Sequence, residues 1–493
     1  MTRSTLRRSA VAMLRGGLVN SPWAVVAAFF GLTLGSGAWI VAGAVVGGLL
    51  ALLLLLSGSW WLAMVWLALA PTFGVFFNDL LQGIPFFRAD RLLVIALLAS
   101  MAFGVIIGKQ RFVTASAIER RMAAFLALAL VHVLYGLRNK DLSAWSKQDA
   151  ALLFDGYLMP MAAYFIARRL DWSEARVARF LWLLCAAALF LAVSAPLETL
   201  LGIKWFIPTY IDAIHILLRA TGTFGNAAAY GAVMGSMLLM VALLFTRVRE
   251  PTQRIILLGL LLFVLGAIVL SKTRASWLGA IAGFAFIFVR DPKSRPLLTV
   301  FGAGAAIAFA VALPVLLAMQ GFEERVYDIA PIYNRIAGLG AATNMMLQNP
   351  LTGVGWTRYA FGASRGEYAI DVGDISGAWI RELTVPHNEF INVGVMTGVI
   401  GFVLYLRIFS GMFGTLRASW ADPANAPFTR AMAGYVGAMW LAWCVNASFA
   451  DFGNFGYANT IIYFCAGVVA ALSDSKIRLP ALEATGPHPE TSR

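Results

Sequence analysis

Apolar runs of spanning length recur along this chain from Ser21 to about Leu472 with short polar breaks, and that feature leaves few folds open. A helix needs roughly 20 apolar residues to cross a hydrocarbon core about 30 Å thick. Composition agrees: 13% of the residues are charged and 60% hydrophobic, against about 25% charged in a soluble domain. The chain reads as an all-α, polytopic integral membrane protein with about 14 transmembrane helices. No large soluble module is expected beside them.

The net charge of +13 raises the question of nucleic acid. The cations, however, sit in short clusters between apolar runs, as the positive-inside rule requires, so no nucleic-acid partner is expected. With the N-terminus placed in the cytoplasm, 24 of the 38 Lys and Arg residues fall on the cytoplasmic side, and five of the rest lie in one long loop. This arrangement puts both termini in the cytoplasm. It divides the chain into a cytoplasmic segment (1–20), helices (21–319), a long external or periplasmic loop (320–386), further helices (387–472) and a cytoplasmic tail (473–493). Arg3, Arg7, Arg8 and Arg15 precede an apolar run that leads into further spans, which reads as an uncleaved first helix. Cys185, Cys444 and Cys465 all fall in apolar spans, so neither a disulfide framework nor a cysteine metal site is expected.

The long loop is too long to be a plain connection. Helical spacing of Ile336, Leu339, Met345 and Met346 predicts a helix from Arg335 to Gln348, stopped at Asn349-Pro350. Its aromatics, Tyr333 and Trp356 among them, argue against disorder.

Chemistry concentrates where that loop re-enters the membrane. His387 is one of only four histidines, and a helix N-terminus favours the neutral imidazole that a general base requires. Its simpler role is an interfacial histidine. Asn388 either orients it, binds a hydroxyl or serves as the N-cap. Arg274 and Lys272 lie in a tight connection on the same side, Arg335 opens the loop helix, and Arg219 precedes another span. Singly, each arginine is a structural anchor. Jointly, they form an anion site, because guanidinium binds phosphate bidentately. Asp155 is the most conspicuous acid in a span. It is either a proton-relay group or, the better reading, hydrated or paired. Metal-ligand spacings, a phosphate-binding loop and a dinucleotide fingerprint are all missing, so no cofactor is expected.

Four pieces now resemble the O-antigen ligase and polymerase family of bacterial membrane glycosyltransferases. They are Arg219 to Asn226, Ser271 to Trp277, Asn349 to Gly355, and Pro386-His387-Asn388 followed by Gly394 and Gly398 to Gly401. The resemblance implies a GT-C-like fold and metal-independent transfer of a glycan from undecaprenyl pyrophosphate to an acceptor hydroxyl. The acceptor would be lipid A-core in a ligase or a lipid-linked repeat unit in a polymerase. Arg274 and Arg335 would grip the pyrophosphate and His387 would take the acceptor's proton. Arg219, Lys272 and Asn388 are further substrate-binding candidates from their positions, and Tyr333 and Trp356 would either stack on sugar rings or, equally, pack the loop onto the membrane domain. The competing class is a polysaccharide transporter or flippase. Its ionisable groups are expected near the bilayer midplane, whereas these candidates gather at one interface.

Overall fold

In a computed structural model of the chain the described residues are 59–76, 89–108, 113–138, 152–203, 219–318, 330–356, 368 and 386–474. The predicted spans between 21 and 57, most of the 320–386 loop (with Glu323, Glu324 and Asp328) and nearly all of the tail lie outside them. Among the described residues there are 13 α-helices and no strands. They are α1 (Ser59–Phe76), α2 (Ala89–Ile106), α3 (Ala117–Arg138), α4 (Met159–Arg169), α5 (Glu174–Thr199), α6 (Ala227–Arg247), α7 (Pro251–Leu270), α8 (Arg274–Arg290), α9 (Arg295–Ala318), α10 (Ala330–Gln348), α11 (Glu389–Ala421), α12 (Pro427–Ala447) and α13 (Gly456–Asp474). A π-helical turn, Leu152–Leu158, leads into α4.

Five helices are long and apolar enough to cross a membrane: α5, α6, α7, α11 and α13. This count of described helices is smaller than the expectation of about 14 spans. Exposed side chains include Ile255, Ile281, Val289 and Val311, a pattern suited to a lipid solvent rather than water.

Contacts divide the chain into two units. The smaller one (1–65 and 95–110) includes the hydroxyls of Ser59 and Ser100, 3.3 Å apart. In the larger unit (66–94 and 111–493) the central helix is α6, buried at every residue from Ala229 to Phe245. Asp155 is paired, as its better reading required: Arg91 donates Nε and Nη2 to its two carboxylate oxygens, each at 2.9 Å.

α3 begins with a capping box. The Ser116 hydroxyl accepts the Glu119 amide at 3.2 Å, and the Glu119 carboxylate accepts the Ser116 amide at 2.6 Å. Arg168 and Arg169 converge on the same carboxylate. Burial alone would raise the Glu119 carboxyl, but the Arg169 and Ser116 hydrogen bonds and the two guanidinium charges outweigh it and hold it below its ordinary value. The stability this supplies is present above the unfolded value and lost as pH falls through the lowered one. Glu119→Gln should therefore melt below the parent protein at pH 7, with the difference shrinking in acid; thermal melts across pH check this.

The predicted loop helix is present as α10 and ends where Asn349-Pro350 begins, but it starts at Ala330, so Arg335 lies inside the helix rather than opening it. Beyond it the 349–356 turn is built into α11. Gly398 interrupts α11 with φ 66° and ψ −169°. The break frees one carbonyl and one amide, and the turn satisfies both. Val354 donates its amide to the Val395 carbonyl at 2.8 Å, and Val399 donates to the Pro350 carbonyl at 2.7 Å. Ala342 and Met345 of α10 pack on Val395 of α11 beside these bonds. The two glycine-marked motifs thus interlock, holding α10 against the helix that His387 precedes.

Candidate active site around the 446–455 turn

The end of α12, from Asn446, and the connection on to α13 carry none of the motifs above, yet they bring them together. Asn446 accepts the Ser276 hydroxyl at 3.1 Å, two residues into the helix that Arg274 opens. The Ser448 carbonyl accepts the Asn388 side-chain amide at 3.2 Å. The Phe449 ring lies under the Arg335 guanidinium at 6.0 Å, within cation–π range. Asp451 Oδ2 lies 3.7 Å from His387 Nδ1. One short turn therefore touches segments bearing Arg274, Arg335 and His387, drawn from three separate parts of the chain.

His387 and Lys272 are the two non-glycine residues with positive φ among the described residues, at 51° and 48°. L side chains rarely occupy this region, and such strain persists only where surrounding structure over-determines it. The His387 side chain is 42% exposed while the Asp451 side chain behind it is only 5% exposed. Asn388 caps α11 by accepting the Ile391 amide at 3.1 Å, the simpler of its expected roles.

Arg274 is the first residue of α8, half-buried, and the hydroxyl of the preceding Thr273 does not cap that helix. The hydroxyl is held elsewhere, within reach of the Ala227 carbonyl at 3.2 Å and accepting from Arg219 Nη2 at 2.6 Å. Arg219 also donates Nε to the Ser271 carbonyl at 3.1 Å, so it straps its own segment onto the α7–α8 turn. That strap is anchored behind by Glu198, buried in α5, which accepts both the amide and the hydroxyl of Thr221. Lys272, in the same turn, is buried.

Tyr333 is half-buried on α10. Trp356 is buried at 1% exposure, with its ring centroid 5.1 Å from that of Tyr157 and 6.5 Å from that of Phe125. It packs the end of the loop motif into the helices.

Glu389 is a functional candidate outside the motif readings. It is fully buried and accepts three hydrogen bonds, from Tyr157 at 2.7 Å, Tyr405 at 3.3 Å and the Gly453 amide at 2.8 Å. Its signal in the sequence was an acid directly after His387-Asn388, at the head of an otherwise apolar helix.

Composition, helix lengths and lipid-suited exposure define a helical membrane protein. Residues 259–406 match the family model described as O-antigen ligase, a family whose members are glycosyltransferase-like enzymes. A search of curated proteins finds no match. The family segment contains Lys272, Arg274, Arg335, Trp356, His387 and Asn388; Arg219 and the 446–455 turn fall outside it.

Proposed function

We propose that the protein transfers a glycan en bloc from undecaprenyl pyrophosphate to an acceptor hydroxyl, at the periplasmic face of the bacterial inner membrane. The observation that carries this reading is the convergence on one turn of a backed, exposed histidine and two arginine-bearing segments. His387 Nε2 takes the acceptor proton while Nδ1 faces Asp451. The acceptor oxygen then bonds to the anomeric carbon, and the bond from that carbon to the pyrophosphate oxygen breaks, leaving its electron pair on undecaprenyl pyrophosphate.

The leaving group gains negative charge, which preorganised cations stabilise most effectively. Arg274 stands at a helix N-terminus, where the helix dipole adds to its own charge. Arg335 supplies the second guanidinium from α10. Charge neutralisation by arginine makes the reaction metal-independent. Both termini lie in the cytoplasm in this reading, following the distribution of cations.

Within the family the acceptor separates two activities. A ligase transfers to lipid A-core, and a polymerase lengthens a lipid-linked repeat. Purified protein given the lipid-linked glycan with each acceptor in turn decides between them: product on lipid A-core means ligase, and longer lipid-linked chains mean polymerase. In the same assay Arg274→Lys keeps the charge but loses the fork. It should lower kcat/KM for the donor by at least about tenfold, which corresponds to about 1.4 kcal/mol. Unchanged donor affinity and turnover would refute bidentate pyrophosphate binding at that residue.

A further inference from the structure

We infer that Glu389 is a positioning residue of this transfer: its carboxylate clamps the turn carrying Asp451 onto the helix start carrying His387. The inference rests on His387 being the base proposed above, and it extends the site to residues of the π-helical turn, α11 and the 446–455 turn.

The geometry is specific. Glu389 stands two residues after His387, and Gly453 two residues after Asp451. The hydrogen bond from the Gly453 amide to Glu389 Oε2, at 2.8 Å, therefore joins the two short segments that place His387 and Asp451 3.7 Å apart. A second tether, from Asn388 to the Ser448 carbonyl at 3.2 Å, lies on the other side of Asp451. Asp451 is thus bracketed, and each bracket starts next to His387 or one residue beyond.

The other carboxylate oxygen is fixed as well. Glu389 Oε1 accepts Tyr157 Oη at 2.7 Å and Tyr405 Oη at 3.3 Å. Tyr157 belongs to the π-helical turn, a conformation that recurs at functional sites. An acid at the head of an apolar membrane helix is expensive, and a simple packing role there would be served by an aliphatic side chain. With both oxygens bonded, the carboxylate has little freedom, and neither has the turn it holds. Asp451 then favours the tautomer with hydrogen on Nδ1, leaving Nε2 open to take a proton.

Length and charge can be separated at this residue. In Glu389→Gln the amide oxygen still reaches the Gly453 amide, and the NH2 group can donate to a tyrosine hydroxyl. In Glu389→Asp the charge stays but the reach shortens by one methylene. Full-length protein is assayed with undecaprenyl-pyrophosphate-linked glycan and the acceptor that supports turnover, and activity is expressed per folded molecule from size-exclusion chromatography. Glu389→Gln should stay within about threefold of the parent kcat. Glu389→Asp should lose about 10²-fold in kcat with donor KM unchanged, the scale of loss that a misplacement of about 1 Å produces. Asp451→Asn should lose a similar factor, and the double variant Glu389→Asp/Asp451→Asn should be no worse than either single one.

Equal kcat for the parent and both Glu389 variants would overturn the inference by reducing the residue to packing. A normal Glu389→Asp beside a dead Glu389→Gln would overturn it in favour of the charge itself, and equal impairment of the two, or additive losses in the double variant, would also overturn it. Should Glu389→Asp fail to fold, Tyr157→Phe takes its place: lower kcat at unchanged donor KM supports the clamp, and parental kcat contradicts it. His387→Ala, run alongside, tests the base separately: full activity there removes the base reading whatever the Glu389 variants do.

Discussion

His387→Ala should abolish glycan transfer while the protein remains inserted, folded and able to bind its lipid-linked donor. The side chain is 42% exposed, so its removal opens no cavity and little folding energy is at stake. Its contribution is chemical. General-base catalysis is worth about 10²–10⁴-fold, and here no second imidazole shares the turn among the described residues. One backbone effect needs a control. His387 has φ 51°, where alanine is strained by about 1 kcal/mol and asparagine is better tolerated. His387→Asn should therefore fold as well as the parent and be equally inactive. Turnover measured beside donor binding checks both variants, and near-parental turnover in either rules out the base assignment.

Gly398→Ala should be among the most damaging single substitutions in the chain. Its φ of 66° lies in the left-handed region, and a Cβ there would collide with the Leu351 carbonyl. That neighbour is backbone and cannot rotate away. Relieving the clash means parting the 349–356 turn from α11 and losing the bonds Val354 to Val395 and Val399 to Pro350. Strain and two lost hydrogen bonds together cost about 3 kcal/mol. The expected result is a much lower yield of folded protein and a lower melting temperature in detergent. Gly414→Ala is the matched control: it lies in the same helix, and a Cβ added there would meet nothing within 4 Å. Replacing a helical glycine in open space should leave stability unchanged or raise it by up to about 1 kcal/mol.

Much of this fold was legible because a bilayer constrains sequence so strongly. Hydropathy alone defines helical membrane segments, and Asn349-Pro350 marks the end of α10. The His387-Asn388 pair was legible because histidine is rare here and the pair opens a helix. The interlock between the 349–356 turn and Gly398 was visible only as two separate glycine motifs. Their mutual dependence arises from a broken helix whose freed carbonyl needs a donor, and spacing does not encode that. The 446–455 turn and Tyr157 were least legible of all. They lie far from the motifs in sequence. The turn contributes scattered groups (the Asn446 amide oxygen, the Ser448 carbonyl, the Phe449 ring, the Asp451 carboxylate and the Gly453 amide) and Tyr157 one hydroxyl, which leave no pattern. Glu389 was present as a signal, an acid heading an apolar helix, but its meaning depends on Gly453, more than 60 residues away.

A transferase of this kind breaks the bond between the glycan's anomeric carbon and the lipid pyrophosphate and makes a glycosidic bond to the acceptor. The most direct measurement follows labelled undecaprenyl-pyrophosphate-linked glycan in proteoliposomes, with acceptor present and EDTA added. The label should move to the acceptor and free undecaprenyl pyrophosphate should appear in equal amount, unaffected by EDTA. Donor that crosses the bilayer intact, with no undecaprenyl pyrophosphate released, would contradict it and point instead to a transporter.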